Sequence, residues 1–217
     1  MNKKEKALFI SKELKKLYKN PKPPLDFSNP FTLLIAVLLS AQCTDERVNI
    51  VTKELFKKAK TPKGMQALGI KKIHSYIKTC GLAPKKSKAI YETSKILIEK
   101  YNSKVPQTIE ELVTLPGVGH KTASVVVSQA FGQPAFAVDT HIHRLAQRWK
   151  LTNGKSVEQT EKDLKQIFPE KSWNDLHLQI IFYGREFCSA RKCFGLECKI
   201  CKTFYPKRRS KVITNRA

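Results

Sequence analysis

Hydrophobic positions recur along most of this chain at helical spacing. From Lys4 to Lys19, Leu8, Leu14, Leu17 and Tyr18 stand among lysines, an amphipathic pattern. Pro21-Lys-Pro-Pro24 breaks it. Ser28-Asn29-Pro30 then supplies a cap and a first-turn proline to a buried helix over 31–41. Leu33 to Ala41 carries no charge, but the run is too short to span a bilayer. Thr44-Asp-Glu opens a helix to about Ala59, and Thr61-Pro62 opens a short one that Gly69 ends. Residues 70–79 and 85–101 predict two more, separated by Cys80-Gly-Leu-Ala-Pro84. Thr108-Ile-Glu-Glu111 and Ser156-Val-Glu-Gln159 have capping-box spacing, the second before an amphipathic run to Phe168. A last helix runs from about Asp175 to Phe187. Only Ala135-Phe-Ala-Val138 has strand character, and it is too short to require a sheet. The pattern predicts an all-α fold.

With 217 residues, 41% of them hydrophobic, the chain can bury a real core. Its charge changes the picture more. Lys plus Arg number 41 against 18 Asp plus Glu, a net +23. Such a balance suits a polyanion, nucleic acid before an acidic membrane surface; the plainer reading is a well-solvated surface. The N-terminal stretch lacks the apolar run and cleavage site of a signal peptide, so a cytoplasmic, nucleoid-associated place is expected, with no membrane partner. Two cysteines, Cys43 and Cys80, lie in apolar surroundings and are expected to be buried thiols. Cys188, Cys193, Cys198 and Cys201 crowd into one short segment, the pattern of a metal site in a reducing compartment.

The most specific segment is Leu112 to Val126. A short helix ends near Leu115, Pro116-Gly117-Val118-Gly119 turns, and a new helix follows. The glycines permit a tight turn and leave the backbone bare, so phosphate oxygens can approach amides at the positive end of the new helix. Val118 can plug the turn onto the core. This is the pattern of a helix-hairpin-helix, which grips the DNA backbone without reading sequence; an ordinary helical corner is the plainer alternative. Lys121 falls in the first turn of that helix, where the dipole favours anions, so it is locally misplaced. A nucleophilic lysine needs such a setting, helped by nearby lysines and partial burial, to lose its proton. A phosphate contact accounts for its position equally well. Asp139 stands just before another helix, where aspartate is an ordinary cap. A carboxylate returning beside a lysine can instead deprotonate an attacking group or stabilise positive charge.

Together Leu33-Leu-Ile-Ala-Val-Leu-Leu-Ser-Ala-Gln-Cys-Thr-Asp45, Tyr76-Ile-Lys-Thr-Cys-Gly-Leu82, Leu115-Pro-Gly-Val-Gly-His-Lys-Thr-Ala123 and Val138-Asp-Thr-His141 resemble the endonuclease III family of helix-hairpin-helix DNA glycosylases over nearly the whole chain. The resemblance implies a two-lobed fold with a small cysteine-ligated loop: residues 22–134 as one lobe, 1–21 with 135–187 as the other, and 188–217 as the loop and basic tail. DNA would lie across a cleft between the lobes. It implies a monomer that removes oxidised pyrimidines from double-stranded DNA and cleaves abasic sites. Lys121 would be the nucleophile and Asp139 its catalytic acid group. Gln42 and Leu82 would fill the gap left by a flipped nucleotide. Gly117, Val118, Gly119 and His120 would hold the backbone, and His141 would support the lesion pocket.

The cysteine spacing departs from the family. Cys188-x4-Cys193-x4-Cys198-x2-Cys201 replaces Cys-x6-Cys-x2-Cys-x5-Cys, with Phe204 near the position of the last ligand. Four thiolates still suffice for a 4Fe–4S cluster, and structural zinc is the rival. Adenine glycosylases and thymine-mismatch relatives lack the lysine, which argues against a monofunctional or mismatch enzyme. Retention of Lys121 with Asp139 argues against a non-catalytic hairpin protein. Only the cysteines suggest a redox sensor.

Overall fold

The computed structural model describes all residues from Met1 to Ala217. Every regular element is helical. No helix is long and apolar enough to cross a membrane. The chain divides into two compact units, one formed by Pro23–Gln133 and the other by Met1–Lys22 with Pro134–Ala217.

The Pro23–Gln133 unit is organised around α2 (Pro30–Ser40), in which every residue from Phe31 to Leu39 is buried. Asn29 caps it: its side chain accepts from the Thr32 amide, Thr32 Oγ1 accepts from the Asn29 amide, and Pro30 occupies the first turn. Its neighbours are α3 (Asp45–Lys58), α5 (Ala83–Tyr101) and α7 (His120–Phe131). α4 (Pro62–Ile77) packs along α5 and is broken at Gly69, whose φ of 73° no ordinary helical residue adopts. α6 (Ile109–Leu112) is a single turn before the hairpin.

The second unit contains α1 (Lys3–Leu17), α8 (Thr140–Arg148), α9 (Val157–Ile167), a 3-10 turn (Glu170–Ser172), α10 (Trp173–Glu186) and a short α11 (Lys199–Phe204). Its core joins Ile10 and Leu14 of α1 to Ile142, Leu145 and Trp149, to Tyr183 of α10, and to all four clustered cysteines. The cysteine loop therefore shares a core with the helices it follows. α1 is tied to it by polar contacts. Lys6 Nζ donates to Tyr205 Oη at 2.6 Å, and Glu13 pairs with Lys199. Residues 135–138 are extended but join no sheet; the Ala135 amide donates to Asn174 Oδ1 at 3.1 Å instead.

His143 on α8 is fully buried, with Nδ1 2.8 Å from Thr160 Oγ1, and burial lowers its pKa. An unfolded chain takes up a proton near pH ~6.5 that the folded chain resists. His143 thus withdraws stability as pH falls through that value toward the lower folded pKa. Urea unfolding of wild type should show a larger loss between about pH 7.5 and 5.5 than His143→Gln shows; equal losses would contradict it.

Candidate active site and metal centre

The hairpin begins where α6 ends. The Leu115 amide donates to the Leu112 carbonyl and the Val118 amide to the Leu115 carbonyl, each at 3.1 Å. Thr93 Oγ1 on α5 donates to the Pro116 carbonyl at 3.2 Å and pins the turn. Gly117 has φ 77°, and a Cβ there would lie 3.1 Å from Ala89 Cβ and 3.4 Å from Leu38 Cδ1. Glycine is required both by conformation and by close approach to α2 and α5. Val118 is buried and plugs the turn, as its pattern predicts. Gly119 caps α7 without a side chain, and nothing lies within 4 Å of the place a Cβ would take. Gly119, His120 and Lys121 are exposed, so the first amides of α7 open onto solvent with the positive end of its dipole. Lys121 is exposed rather than partly buried, because it lies on the outer side of the first turn while Ala123 and Ser124 face the core.

Two further loops of the same unit meet. Gln42 follows α2 with φ 54°, and Leu82 precedes α5 with φ 61°; both are exposed in the left-handed region that side chains rarely adopt. A Cβ on Gly81 would come within 2.8 Å of the Gln42 carbonyl oxygen, so the loops abut. Lys86 holds this junction. Its buried Nζ donates to the carbonyls of Leu39 at 2.8 Å and Ala41 at 2.6 Å, capping the open end of α2 immediately before Gln42. Burial lowers the Lys86 pKa. Cys80 is buried as its surroundings predict, but Cys43 is half-exposed, because it lies in the loop beyond the end of α2. Burial first, then the neighbouring Cys43 thiol, pushes the Cys80 thiol up to about 11.

In the other unit Asp139 caps α8: Oδ1 accepts from the Ile142 amide at 2.8 Å. The ordinary capping role is therefore real, and it fixes the half-buried carboxylate at a helix N-terminus. His177 Nδ1 lies 2.7 Å from the Ala137 carbonyl and steadies the approach to Asp139. In the first turn of α8, His141 Nδ1 is 3.2 Å from Arg144 Nη2, which also donates to the carbonyls of Gly184 at 3.0 Å and Cys188 at 3.2 Å.

Cys188, Cys193, Cys198 and Cys201 converge. All are buried, and their sulfurs lie within 4.8 Å of one another. Four thiols facing one point in a dry interior are a donor set for a metal, since thiolates left together without a cation would repel. Arg148, itself buried, donates from Nη1 to Cys188 Sγ at 3.2 Å and to the Cys188 and Ser189 carbonyls at 3.0 and 2.9 Å. The Cys198 amide donates to Cys193 Sγ at 3.4 Å. Such contacts to the sulfurs orient the ligands and offset their charge.

Lys86, Arg144 and Arg148 were not singled out by motif. The available signal was position: Lys86, Ile90, Thr93 and Leu97 fall on one face of α5, so a lysine stands on an apolar stripe. Lys86→Met leaves two carbonyls unsatisfied and should lower unfolding free energy by about 1–3 kcal/mol. A urea midpoint equal to wild type would refute that role for Lys86.

A family model described as the HhH-GPD superfamily base excision DNA repair protein matches residues 35–170. Endonuclease III of Escherichia coli (strain K12) is 47% identical over 189 residues, covering 87% of this chain and 90% of that protein. A solved non-covalent endonuclease III–DNA complex superposes with a TM-score of 0.87 at 41% identity, covering 95% of this chain and 100% of that one. A trapped endonuclease III–DNA covalent intermediate superposes with a TM-score of 0.86, also at 41% identity, covering 94% and 99%.

Proposed function

Since the chain belongs to the endonuclease III family of HhH-GPD base excision repair proteins, we infer that it is a bifunctional DNA glycosylase and AP lyase acting on duplex DNA. The observation that carries the catalytic assignment is Lys121: a lysine presented to solvent in the first turn of α7, directly beyond a glycine hairpin with bare amides. Phosphates bound at those amides would bring the sugar backbone to the Lys121 amine.

Gln42 and Leu82, held outward on abutting loops, fill the gap as the damaged nucleotide leaves the stack. His141, fixed by Arg144, supports the pocket that receives the base. The Lys121 amine attacks C1′, and the base leaves with the bonding electron pair and takes a proton. The sugar ring opens to a Schiff base, whose electron demand acidifies the neighbouring C–H. Loss of that proton expels the 3′ phosphate by β-elimination. Asp139 takes the proton from the attacking group and stabilises positive charge on the sugar. Oxidised pyrimidines are the proposed substrates, and the protein works as a monomer in the cytoplasm, at the nucleoid.

Lys121→Gln should lose strand cleavage on thymine-glycol duplexes by a factor of about 10³ or more while binding them within a few-fold of wild type. Cleavage at the wild-type rate would remove Lys121 from the mechanism.

The cysteine site is proposed to hold a 4Fe–4S cluster, which four thiolates can ligate and which buried Arg148 would counter in charge. One observation favours a second occupant. Sulfurs no more than 4.8 Å apart approach the spacing of about 3.8 Å that a single tetrahedral zinc imposes. Either metal would tie the loop to the core of its unit, and none of the chemistry above passes through it. Protein purified without oxygen should contain four irons with acid-labile sulfide per chain; one zinc without visible absorption would replace the cluster with the second reading.

A further inference from the structure

Cys43 and Cys80 lie apart from the clustered cysteines, and the chemistry above uses neither. Their positions are unusual. Cys43 directly follows Gln42, and Cys80 stands two residues before Leu82. The loops that carry them abut where Gly81 meets the Gln42 carbonyl, with one thiol half-exposed and the other buried. Lys86 faces both thiols, and Arg47 faces Cys80. An accessible sulfur beside a cation, with a second sulfur on the abutting loop, is the arrangement of a dithiol in which one group is oxidised and the other resolves it.

We propose that Cys43 and Cys80 are a peroxide-sensitive modification site whose disulfide weakens the grip on damaged duplex by displacing the Gln42 and Leu82 loops. The Cys43 thiolate attacks one peroxide oxygen and the O–O bond breaks, leaving a sulfenic acid and, after protonation, water. The Cys80 sulfur then attacks the sulfenic sulfur, the S–O bond breaks, and a second water leaves. Two thiols are oxidised to one disulfide, and one peroxide is reduced to two waters.

The loops have no slack for this bond. A disulfide needs sulfurs about 2.05 Å apart, well inside any non-bonded contact. Closure must draw the loops together where Gly81 already meets the Gln42 carbonyl so closely that an added Cβ would lie 2.8 Å away. The movement falls on the segment that Lys86 caps through Leu39 and Ala41, and on two residues already at positive φ. Its effect on DNA rests on the reading of Gln42 and Leu82 as gap-filling residues; formation of the bond does not.

The test treats metal-loaded full-length protein with hydrogen peroxide and digests it with trypsin. Mass spectrometry should find Asn20–Arg47 joined to Thr79–Lys85, absent from Cys43→Ser and Cys80→Ser and reversed by dithiothreitol. Binding to a duplex with a tetrahydrofuran abasic analogue should weaken about tenfold in oxidised wild type. Neither serine variant should weaken equally, although each carries the same metal cysteines and so reports any damage there. No crosslinked peptide, or a crosslink with unchanged affinity, overturns the proposal. Reduced Gln42→Ala and Leu82→Ala proteins test the gap-filling reading separately: full affinity in both would remove it whether or not the crosslink forms.

Discussion

The packing of α2 is the constraint on which the candidate DNA-binding surface of its unit depends. Nine consecutive buried residues make this helix insoluble alone and immovable once packed. Leu38 lies against Gly117 and so sets how closely the hairpin can approach. The same end of α2 projects Gln42, and its carbonyls are closed by Lys86 from α5. One apolar helix thus sets the height of the bare amides, the placement of Lys121 beyond them, and the loop that meets Leu82. An error in its packing would reach all three at once.

The other unit solves a different problem. Asp139 and His141 sit in the first turn of α8, and the same helix carries Arg144 and Arg148 one and two turns later. These guanidiniums reach the carbonyls and sulfur of the cysteine loop. The helix that positions the proposed catalytic carboxylate is therefore locked at its far end by the cysteine loop. Metal binding at Cys188, Cys193, Cys198 and Cys201 would stabilise that lock, since affinity for the folded site adds to folding free energy.

Much of this was legible in the sequence because it is local. Asn29, Thr44, Thr108 and Ser156 cap the helices that their spacing predicts, and Gly69 marks the break within α4. Leu115 to Ala123 reads directly as a hairpin, since backbone conformation leaves its mark in glycine and proline. Convergence of the four cysteines was also readable from their crowding. What escaped depends on residues far apart. That Lys86 reaches back to Leu39 and Ala41, that Arg148 meets Cys188, and that the Cys43 and Cys80 loops abut follow from tertiary packing alone. Partial burial is expected of a nucleophilic Lys121, yet the turn of α7 directs it outward. Helical periodicity says which face is buried only once the first turn is placed.

The account stands or falls on where the covalent bond to DNA forms. Borohydride reduction during reaction with an abasic-site duplex should trap a stable adduct, and peptide mapping by mass spectrometry should place the reduced sugar on Lys121. An adduct on another lysine or on the N-terminal amine, with Lys121 unmodified, would contradict it.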